Sequence, residues 1–545
     1  MTGFVPLGGA ALGEIDALAA IGVVTRTLAY SDHSWSSGPD DSPASTPIQA
    51  RLLPFRLRSQ IGTRDGYWMG AAPTQFGEIE LTNADGGLDT LFDSGFTDGR
   101  PVRLKVAPLS YDSYARPVYP PLAAFGSVVE ATAQQWQLSD SSLRIGLVGA
   151  LSRLDRPLQP NRYGGSGGSD GTAEMAGMSR PCGWGWLPNV PLQLVDPALN
   201  IYQIVDTGLQ ALVELRDGGY PLNFAQAVSN YTALASLDVA GGDYTVWLGG
   251  GYVRVGVVPV GRLTADVEAG DGRRARSLFG DGSGFSDGAG FGDFVLGQYV
   301  QTAAAIIARI IRERGGTAAS VIEDTSFESF SRTVSSRCGW FQPAGGSATV
   351  LEAVDRIAVS VGAWLADDSF GRIAVGRVGP APTSAQRRLT ERQITAARTV
   401  PLPYGVAPSE VQIEYAQPWQ VQTPDELVAD APAAARQAAT TPSRRVSHAL
   451  AEVSTALPSA KPLRIASLFP DRGDALTLLQ HLVATYSLRR RLVELTTPML
   501  GASIRRGEAI HVTYPIAALR NGAFGTVVDV EISTRRRECR LAVLV

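Results

Sequence analysis

The sequence is poor in the side chains that most often carry chemistry. Its 545 residues include only three cysteines and four histidines. These are Cys182, Cys338 and Cys539, with His33, His448, His481 and His511. Because the cysteines are odd in number and far apart, they exclude a disulfide framework and a closed zinc cage. No histidine lies in a metal or catalytic signature, so we expect structural or surface roles for His481 and His511 and a core position for Cys539.

Charge and long hydrophobic runs are also scarce. Charged residues make up 18% of the chain, against about 25% in ordinary soluble domains, and the net charge is -4. Without an overall cationic field the chain is not suited to hold a polyanion, so nucleic-acid binding is not predicted. No apolar run reaches the ~20 residues of a membrane span, and residues 1–24 lack the basic start of a secretory signal. We therefore expect synthesis in the cytoplasm with no secretory address.

Turn-forming residues between short apolar runs are abundant. There are 59 glycines and 34 prolines, and 44% of the residues are hydrophobic. Runs such as Phe76 to Leu81, Pro101 to Val106 and Leu143 to Val148 are typical of strands with one buried face. The length corresponds to roughly three or four domains. The sequence therefore predicts a mainly β, multidomain chain with minor α structure (α+β).

Shifts in composition divide the chain into four predicted domains. The glycine-rich run from Gly164 to Gly171 marks the first boundary. The predicted domains are an N-terminal β domain at 1–163, a second β domain at 172–270, an α+β domain at 271–400 and a C-terminal region at 401–545 that closes in a β module. Within the last region, residues 428–461 are rich in Ala, Pro, Thr and Ser and are predicted to be a linker or a long excursion, of low order in either case.

Helical spacing of apolar residues appears at three places. Gln298 to Arg314 and Val350 to Val361 are predicted as two amphipathic helices of the α+β domain. The second of them follows a capping box formed by Thr349 and Glu352. Asp474 to Arg490 is predicted as a third helix, in the C-terminal region.

Three local features of the sequence are too weak to predict a chemical site. The loop from Gly280 to Asp293 resembles a calcium-binding glycine-rich repeat, but one irregular copy favours a plain loop, and a bound ion there is left open. The adjacent acids Asp367 and Asp368 are typical of a solvated turn. Arg180 to Trp184 and Arg337 to Trp340 share a Cys-Gly-Trp tripeptide, which chance explains at least as well as an ancient duplication. We therefore predict no catalytic, cofactor-binding or metal-binding residue and do not expect an enzyme.

Four stretches of the sequence resemble one known family. They are Phe76 to Asp89 with Phe96 to Val106, Leu154 to Tyr163, Asp196 to Asp206 with Gly261 to Gly270, and Arg506 to Ile532. The first contains a strand, a turn and then Gly-Arg-Pro-Val, and the Leu154 to Tyr163 stretch resembles a Leu-x-Arg-Pro-Leu-Gln-Pro turn. In these motifs the chain is similar to the baseplate hub or tail-tip proteins of tailed bacteriophages, especially those of long-tailed phages and phage-like elements of proteobacteria.

The resemblance implies a homotrimer built from tail-tube-like β-barrel domains, two per chain, with no cofactor. Three chains would form a pseudo-sixfold ring at the tail tip of the virion. The ring would join the tail tube or distal tail protein to tail fibre or spike proteins, with the tape measure protein as a further partner. It would line the channel through which DNA leaves, without reading a specific nucleic-acid sequence.

Two other classes of function stay open beside this structural hub. One is a carbohydrate-active hydrolase that attacks the cell envelope with a pair of carboxylates. The other is a host-glycan-binding tail module that uses exposed aromatic residues such as Trp184, Trp186 and Trp340. The hub is the leading hypothesis because no hydrolase motif is found and tryptophan beside glycine is as often a packed turn as a sugar platform.

Overall fold

The structure is a computed structural model that describes residues 8–19, 24–42, 44–90, 99–114, 117–118, 120–270, 301–316, 321–368, 370–400, 407–486 and 490–545. Of the described residues, 39% are in strands, which form several sheets, and 21% are in helices. The mainly β, multidomain class with minor helix is therefore confirmed. The closure of sheets into tube-like barrels and the division into four domains stay predictions.

The strands are numbered β1 to β32 in chain order. The N-terminal strands are β1 (Gly8–Ala19), β2 (Val24–Ser31), β3 (Trp35–Ser36), β4 (Pro47–Ala50), β5 (Arg56–Gln60), β6 (Gly70–Ala71), β7 (Gln75–Thr82), β8 (Pro101–Tyr111), β9 (Pro117–Val118), β10 (Gly126–Leu138) and β11 (Ser142–Val148). The middle strands are β12 (Cys182–Pro191), β13 (Gln193–Asp196), β14 (Ile201–Gln203), β15 (Leu209–Asp217), β16 (Tyr220–Pro221), β17 (Asn223–Ala227), β18 (Asp243–Trp247), β19 (Tyr252–Val255) and β20 (Leu263–Ala269). The remaining strands are β21 (Gly339–Gln342), β22 (Trp364–Asp367), β23 (Ile373–Gly376), β24 (Arg387–Leu389), β25 (Ala396–Val400), β26 (Glu410–Tyr415), β27 (Arg444–Ala449), β28 (Leu463–Ala466), β29 (Leu492–Pro498), β30 (Ala509–Val512), β31 (Ala523–Ser533) and β32 (Glu538–Leu544).

The helices include all three that the sequence predicts. The α-helices are α1 (Tyr231–Ser236), α2 (Ala303–Arg314), α3 (Asp324–Thr333), α4 (Val350–Ser360), α5 (Ala433–Thr440), α6 (Ala451–Ala456) and α7 (Arg472–Tyr486). Short 3-10 turns lie at Leu122–Ala124, Ala150–Leu154, Gly168–Asp170, Ala173–Met175, Leu248–Gly250, Pro424–Glu426 and Met499–Ser503. Helices α2, α4 and α7 correspond to the three predicted ones. Residues 298–300 and 487–489 of the predicted first and third helices lie outside the described residues.

One large sheet joins the two ends of the chain. Its strands follow the order β25-β29-β32-β31-β5-β7-β11-β10-β8-β1-β2-β4-β3. The N-terminal and C-terminal strands meet where β5 pairs antiparallel with β31, from Arg56 opposite Ser533 to Gln60 opposite Asp529. Leu57 of β5 is 2% exposed in a core shared by strands from both ends. The first and last parts of the sequence are therefore packed together.

Two five-stranded sheets occupy the middle of the chain. Their orders are β16-β15-β20-β12-β21 and β13-β14-β19-β18-β17. Leu187 of the first sheet and Val253 of the second are fully buried in one core. Strand β21 comes from the region that follows α3, so that region completes the first of these sheets.

Helices α2 and α4 lie in the largest core of the molecule. Every residue of α2 from Ala303 to Ile311 is buried, which explains its run of alanine and isoleucine. The capping box of α4 is present, since Glu352 N–H donates to Thr349 Oγ1 at 3.2 Å and Thr349 N–H donates to the Glu352 carboxylate at 2.9 Å. The hairpin β22–β23 packs into the same core, which brings its end close to the large sheet.

Residues 428–461 contain regular structure. Helix α5, strand β27 and helix α6 all lie in this stretch, and β27 pairs antiparallel with β26. The prediction of low order is therefore wrong. Composition is a poor guide here because each of the three elements buries a single side chain, namely Ala439, Val446 and Val453. The predicted loop 280–293 lies outside the described residues.

Candidate assembly surface

The three cysteines are buried and unpaired by disulfides. Burial raises the pKa of the Cys338 and Cys539 thiols to about 12 and the pKa of Cys182 well above its ordinary value. Thiols with such pKa values stay protonated at neutral pH and are poor nucleophiles. Cys539 points into the core from β32, the position that the alternation of the sequence predicts.

Two of the histidines are packed against neighbouring elements. The Nε2 atom of His481, on α7, lies 3.0 Å from the carbonyl oxygen of Val378. Burial, assisted by the charge of Arg377, lowers the pKa of His481 to about 4, so the ring is neutral at pH 7. His511, on β30, packs edge-on against Phe524 with 4.7 Å between the ring centroids. Both rings therefore make contacts within the fold.

The tryptophans considered as a sugar platform are not on the surface. Trp184 is fully buried and Trp340 is 3% exposed. They lie opposite each other where β12 pairs with β21. Trp186 is half-buried, with the guanidinium carbon of Arg337 4.7 Å from its ring centroid. The glycan-binding alternative therefore loses Trp184 and Trp340 as exposed residues, because the two Cys-Gly-Trp segments pair with each other inside one sheet.

The acid pair at the end of β22 is not a solvated turn. Asp367 is 1% exposed, and its Oδ1 atom accepts the backbone N–H of Leu151 at 2.9 Å. Burial raises the pKa of Asp367 to about 7. Asp368 is partly exposed and forms an ion pair with Arg372 at 2.9 Å. The sequence-based interpretation is therefore wrong for Asp367, which the packing of β22 places inside the protein.

The Leu154 to Tyr163 stretch connects segments that are distant in sequence. The Nε2 atom of Gln159 donates to the carbonyl oxygens of Arg180 at 2.7 Å and Pro343 at 2.8 Å. Its Oε1 atom accepts from the Ser179 hydroxyl at 3.3 Å. Gln159 is 3% exposed, so these bonds replace water that the amide has lost. This motif of the resemblance therefore has a structural role in joining the segments before β12 and after β21.

A loop at residues 256–261 presents valine side chains to solvent. Val257, Val258 and Val260 expose 54%, 73% and 86% of their surface. The loop is held by Asp217, whose carboxylate oxygens accept the backbone N–H groups of Val260 at 2.8 Å and Gly261 at 2.7 Å. The end of the loop is therefore anchored to Asp217 while the valine side chains face solvent.

An exposed edge strand lies beside this loop. Strand β17 is the last strand of its sheet, and all five of its residues are exposed. Phe224 is 57% exposed, with its ring centroid 5.7 Å from that of Tyr244. The backbone N–H of Asn223 donates to Gly242 at 3.0 Å, and a Cβ atom on the adjacent Gly241 would lie 3.4 Å from the Val257 side chain. Glycines 241 and 242 therefore bring the strand and the loop together.

We call residues 223–227 and 256–261 together the apolar face. Their sequences, Asn-Phe-Ala-Gln-Ala and Gly-Val-Val-Pro-Val-Gly, contain no charged side chain. An exposed apolar patch marks an interaction site, and an open strand edge offers backbone groups to another strand. The apolar face is the candidate functional site of this chain.

The described residues also include no metal-binding cluster and no membrane-spanning helix. Among the described residues, no group of three or more His, Cys, Asp or Glu side chains is placed to hold a metal ion. No helix in the described ranges is long and apolar enough to cross a membrane.

Comparisons with known proteins give matches among solved structures. No family model and no curated protein match the sequence. The chain is similar to the 43 kDa tail protein of prophage MuSo2 from Shewanella oneidensis, with a TM-score of 0.37 and 9% identity over 98% of both chains. It is also similar to the tail protein from Neisseria meningitidis MC58, with a TM-score of 0.35 and 9% identity over 98% of this chain and 96% of that one. A chain in the virion of a native gene transfer agent particle matches with a TM-score of 0.38 and 13% identity over 72% of this chain and 91% of that one. The structural neighbours are tail and virion proteins, the class that the sequence motifs resemble.

Proposed function

We propose that this chain is a structural virion protein that forms a trimeric hub at the tip of a phage-like tail. The observation that carries the proposal is the apolar face, which contains no charged side chain, is anchored at Val260 and Gly261 by Asp217, and is bordered by an open strand edge. Such a surface is costly to leave in water and gains free energy when a neighbouring chain covers it. The four stretches that resemble hub proteins support the same assignment.

The occupant of the apolar face is a second copy of this chain. A strand added along β17 would pair with its free backbone groups, and the neighbour would cover Val258 and Val260. Because a threefold ring is built from head-to-tail contacts, the apolar face of one copy meets a different surface on the next. Three copies close the ring, and each contributes one apolar face.

The hub joins the other tail components. Its partners in this proposal are the distal tail or tail tube protein above, the tail fibre or spike proteins below, and the tape measure protein. The net charge of -4 suits a ring that DNA passes through without binding. The role is non-enzymatic, in keeping with the buried, protonated cysteines.

The mass of the purified full-length chain in solution tests the trimer. Light scattering is expected to give about three times 57.6 kDa, with averaged electron micrographs showing a threefold ring. The double variant Val258→Asp/Val260→Asp should be a folded monomer, because burying two carboxylates in the interface is prohibitive. Val118→Asp, at a valine 47% exposed on β9, is the matched control and should stay trimeric. A compact wild-type monomer, or a trimer that survives the double substitution, would overturn the proposal.

A further inference from the structure

Three consecutive arginines form the tip of the hairpin β31–β32. Arg535, Arg536 and Arg537 are all exposed, and Arg535 and Arg537 have no ion-pair partner among the described residues. The Nη1 atom of Arg536 lies 3.5 Å from the Glu538 carboxylate. Like charges side by side repel one another, so the three guanidinium groups do not stabilise the fold through each other.

The backbone of this tip is held in a conformation that does not favour arginine. Arg537 has a φ of 53°, in the left-handed region where glycine and asparagine are preferred. Its N–H donates to the Thr534 carbonyl oxygen at 3.2 Å, and the Thr534 N–H donates to the Phe55 carbonyl oxygen at 3.1 Å. The Phe55 N–H donates in return to Thr534 Oγ1 at 2.9 Å. An arginine at a strained position that is anchored to a distant segment indicates a function for its side chain.

Apolar side chains lie beside the three arginines. Leu53 is 37% exposed and Pro54 is also exposed, and both come directly before Phe55. Because the hydrogen bonds of Phe55 fix this segment to the hairpin, the apolar residues and the arginines share one surface. We call residues 53–54 and 535–537 together the arginine patch. Arginine is enriched in protein interfaces, where its planar guanidinium group pairs with carboxylates.

The acids around the arginine patch do not neutralise it. Glu531 pairs with Arg56 at 2.6 Å, and Glu538 pairs with Arg540 at 3.1 Å. Glu78, opposite Arg56 where β5 pairs with β7, is a third acid. Together with the patch these groups are five arginines and three glutamates, which is a local excess of positive charge on a chain whose net charge is -4.

A cluster of the opposite charge borders the apolar face. Asp425 and Asp430 are exposed and have no ion-pair partner in the described chain. Glu426 lies in the same segment, and a Cβ atom on Gly261 of the apolar face would be 3.1 Å from its backbone oxygen. Asp217, which anchors the loop of the apolar face, is the fourth acid. We call these four acids the acidic rim.

Two arginines near the acidic rim leave it with an excess of acids. Arg262 is 3.9 Å from the Glu426 carboxylate. The Arg436 guanidinium group donates to backbone carbonyl oxygens of the same segment, including that of Ala431 at 3.0 Å. The complement of the apolar face and its rim is therefore an apolar surface bordered by positive charge. The arginine patch has this composition, and every copy of the chain carries both surfaces.

We propose that the arginine patch of one copy of this chain binds the apolar face of the next copy. Leu53 and Pro54 cover part of the valine loop, and Arg535 and Arg537 pair with the carboxylates of the acidic rim. The contact joins two different surfaces, so it is head-to-tail, as a closed threefold ring requires. It rests on the trimer proposed above and supplies the second surface of that interface.

Charge reversal on the full-length chain tests this contact. Arg535→Glu/Arg537→Glu should raise the concentration at which half of the trimer dissociates by at least about tenfold, because like charges then meet across the interface. Asp425→Arg/Asp430→Arg should have the same effect for the same reason. The quadruple variant should recover most of the lost affinity, since opposite charges face each other again. Light scattering over a series of concentrations measures the dissociation.

A matched control separates the contact from the overall change in charge. Lys461→Glu/Arg464→Glu changes the net charge by as much as the reversal of the two arginines, at two exposed residues at the start of β28. This variant should dissociate at the wild-type concentration. The wild-type trimer should also weaken between about 0.05 and about 0.5 M NaCl, because salt screens exposed ion pairs.

The variants distinguish the failure of this contact from the failure of the trimer. A wild-type trimer that Val258→Asp/Val260→Asp dissociates, but that both charge reversals leave intact, would show that the apolar face binds a surface other than the arginine patch. A quadruple variant as weak as the two double variants would also overturn the contact. A wild-type monomer would remove the trimer and this contact together. If the hairpin variants do not fold, unchanged dissociation in both Asp425→Arg/Asp430→Arg and the salt series would overturn the contact.

Discussion

Trp184 stands directly opposite Trp340 in the antiparallel pair of β12 and β21. Trp184 is fully buried, and its Nε1 atom donates to the Glu313 carboxylate at 2.9 Å. The guanidinium carbon of Arg314 lies 5.7 Å from the centroid of the same ring. One indole therefore ties the middle sheets to the C-terminal end of α2.

Close steric contacts explain the glycine in each Cys-Gly-Trp segment. A Cβ atom on Gly339 would lie 2.1 Å from the backbone oxygen of Trp186, and one on Gly183 would lie 2.6 Å from the side chain of Leu187. The backbone oxygen cannot move aside, so position 339 requires glycine, whereas a side chain at position 183 would displace the end of the buried Leu187 side chain. The shared tripeptide is thus explained by two strands that pair closely in one sheet, whatever its origin.

Removing the Trp184 ring should destabilise the chain strongly. Trp184→Ala leaves a large cavity and removes one hydrogen-bond partner of Glu313, so we expect a loss of about 3 to 5 kcal/mol in the free energy of unfolding. The loss is measured from the urea midpoint of the full-length chain. Trp186→Ala, at the half-buried neighbour, is the matched control and should cost clearly less. Equal losses for the two variants would contradict the central position of Trp184.

Breaking the ion pair between Asp206 and Arg314 should also destabilise the chain. The two side chains are 2.8 Å apart and only 4% and 10% exposed, and Asn161 Nδ2 donates to the other Asp206 oxygen at 2.6 Å. Burial raises the pKa of Asp206, although Arg314 opposes this shift. Arg314→Leu leaves a buried carboxylate without its cation and should lower the free energy of unfolding by about 3 to 5 kcal/mol at neutral pH.

Two further variants test the Asp206–Arg314 pair. The loss in Arg314→Leu should shrink in acid, where Asp206 takes up a proton, and Asp206→Asn combined with Arg314→Leu should recover part of it. Arg398→Leu breaks the exposed pair with Glu494 and should cost about 1 kcal/mol or less. A double variant as unstable as Arg314→Leu alone would show that the loss comes from packing and not from the unpaired charge.

Local elements could be predicted from the sequence because their signals are local. The alternation at Phe76 to Leu81 is found within β7, and the capping box at Thr349 starts α4. The pairing of β5 with β31 could not be predicted, because strand register between distant segments is decided by the tertiary core. The burial of Asp367 could not be predicted for the same reason, since two adjacent acids carry no signal of burial.

Only part of the candidate site could be predicted from the sequence. The run Val257 to Val260 contains three valines and a proline without a charge, and the alternation rule assigns such residues to a core. Their exposure follows from the hydrogen bonds of Asp217 to the loop backbone, a contact between residues about forty positions apart. An exposed apolar face can be recognised only once that contact is known.

The capping box of α4 gives a smaller, local prediction. Thr349→Ala removes the side chain that accepts the Glu352 N–H and should lower the free energy of unfolding by about 1 kcal/mol. Thr349→Ser keeps the hydroxyl and should be close to the wild-type chain. The comparison is made by urea unfolding, and an equal loss in both variants would point to lost contacts of the threonine methyl group instead of the cap.

Asp367 should make stability depend on pH near neutrality. Burial raises its pKa in the folded chain from 3.8 to about 7, so its contribution to stability is full below about pH 4 and is lost as the pH rises through 7. Asp367→Asn keeps an oxygen for the Leu151 N–H and carries no charge. At pH 8 the free energy of unfolding of this variant should therefore exceed that of the wild-type chain by on the order of 2 kcal/mol. At pH 5 the difference between the two chains should be smaller. The loss of the charge opposite Arg506 works against this gain and limits its size.

Urea unfolding at several pH values measures the difference, with Asp140→Asn at an exposed hairpin tip as the control that should follow the wild-type curve. A variant whose stability stays parallel to that of the wild-type chain from pH 5 to 8 would show that Asp367 does not titrate in this range.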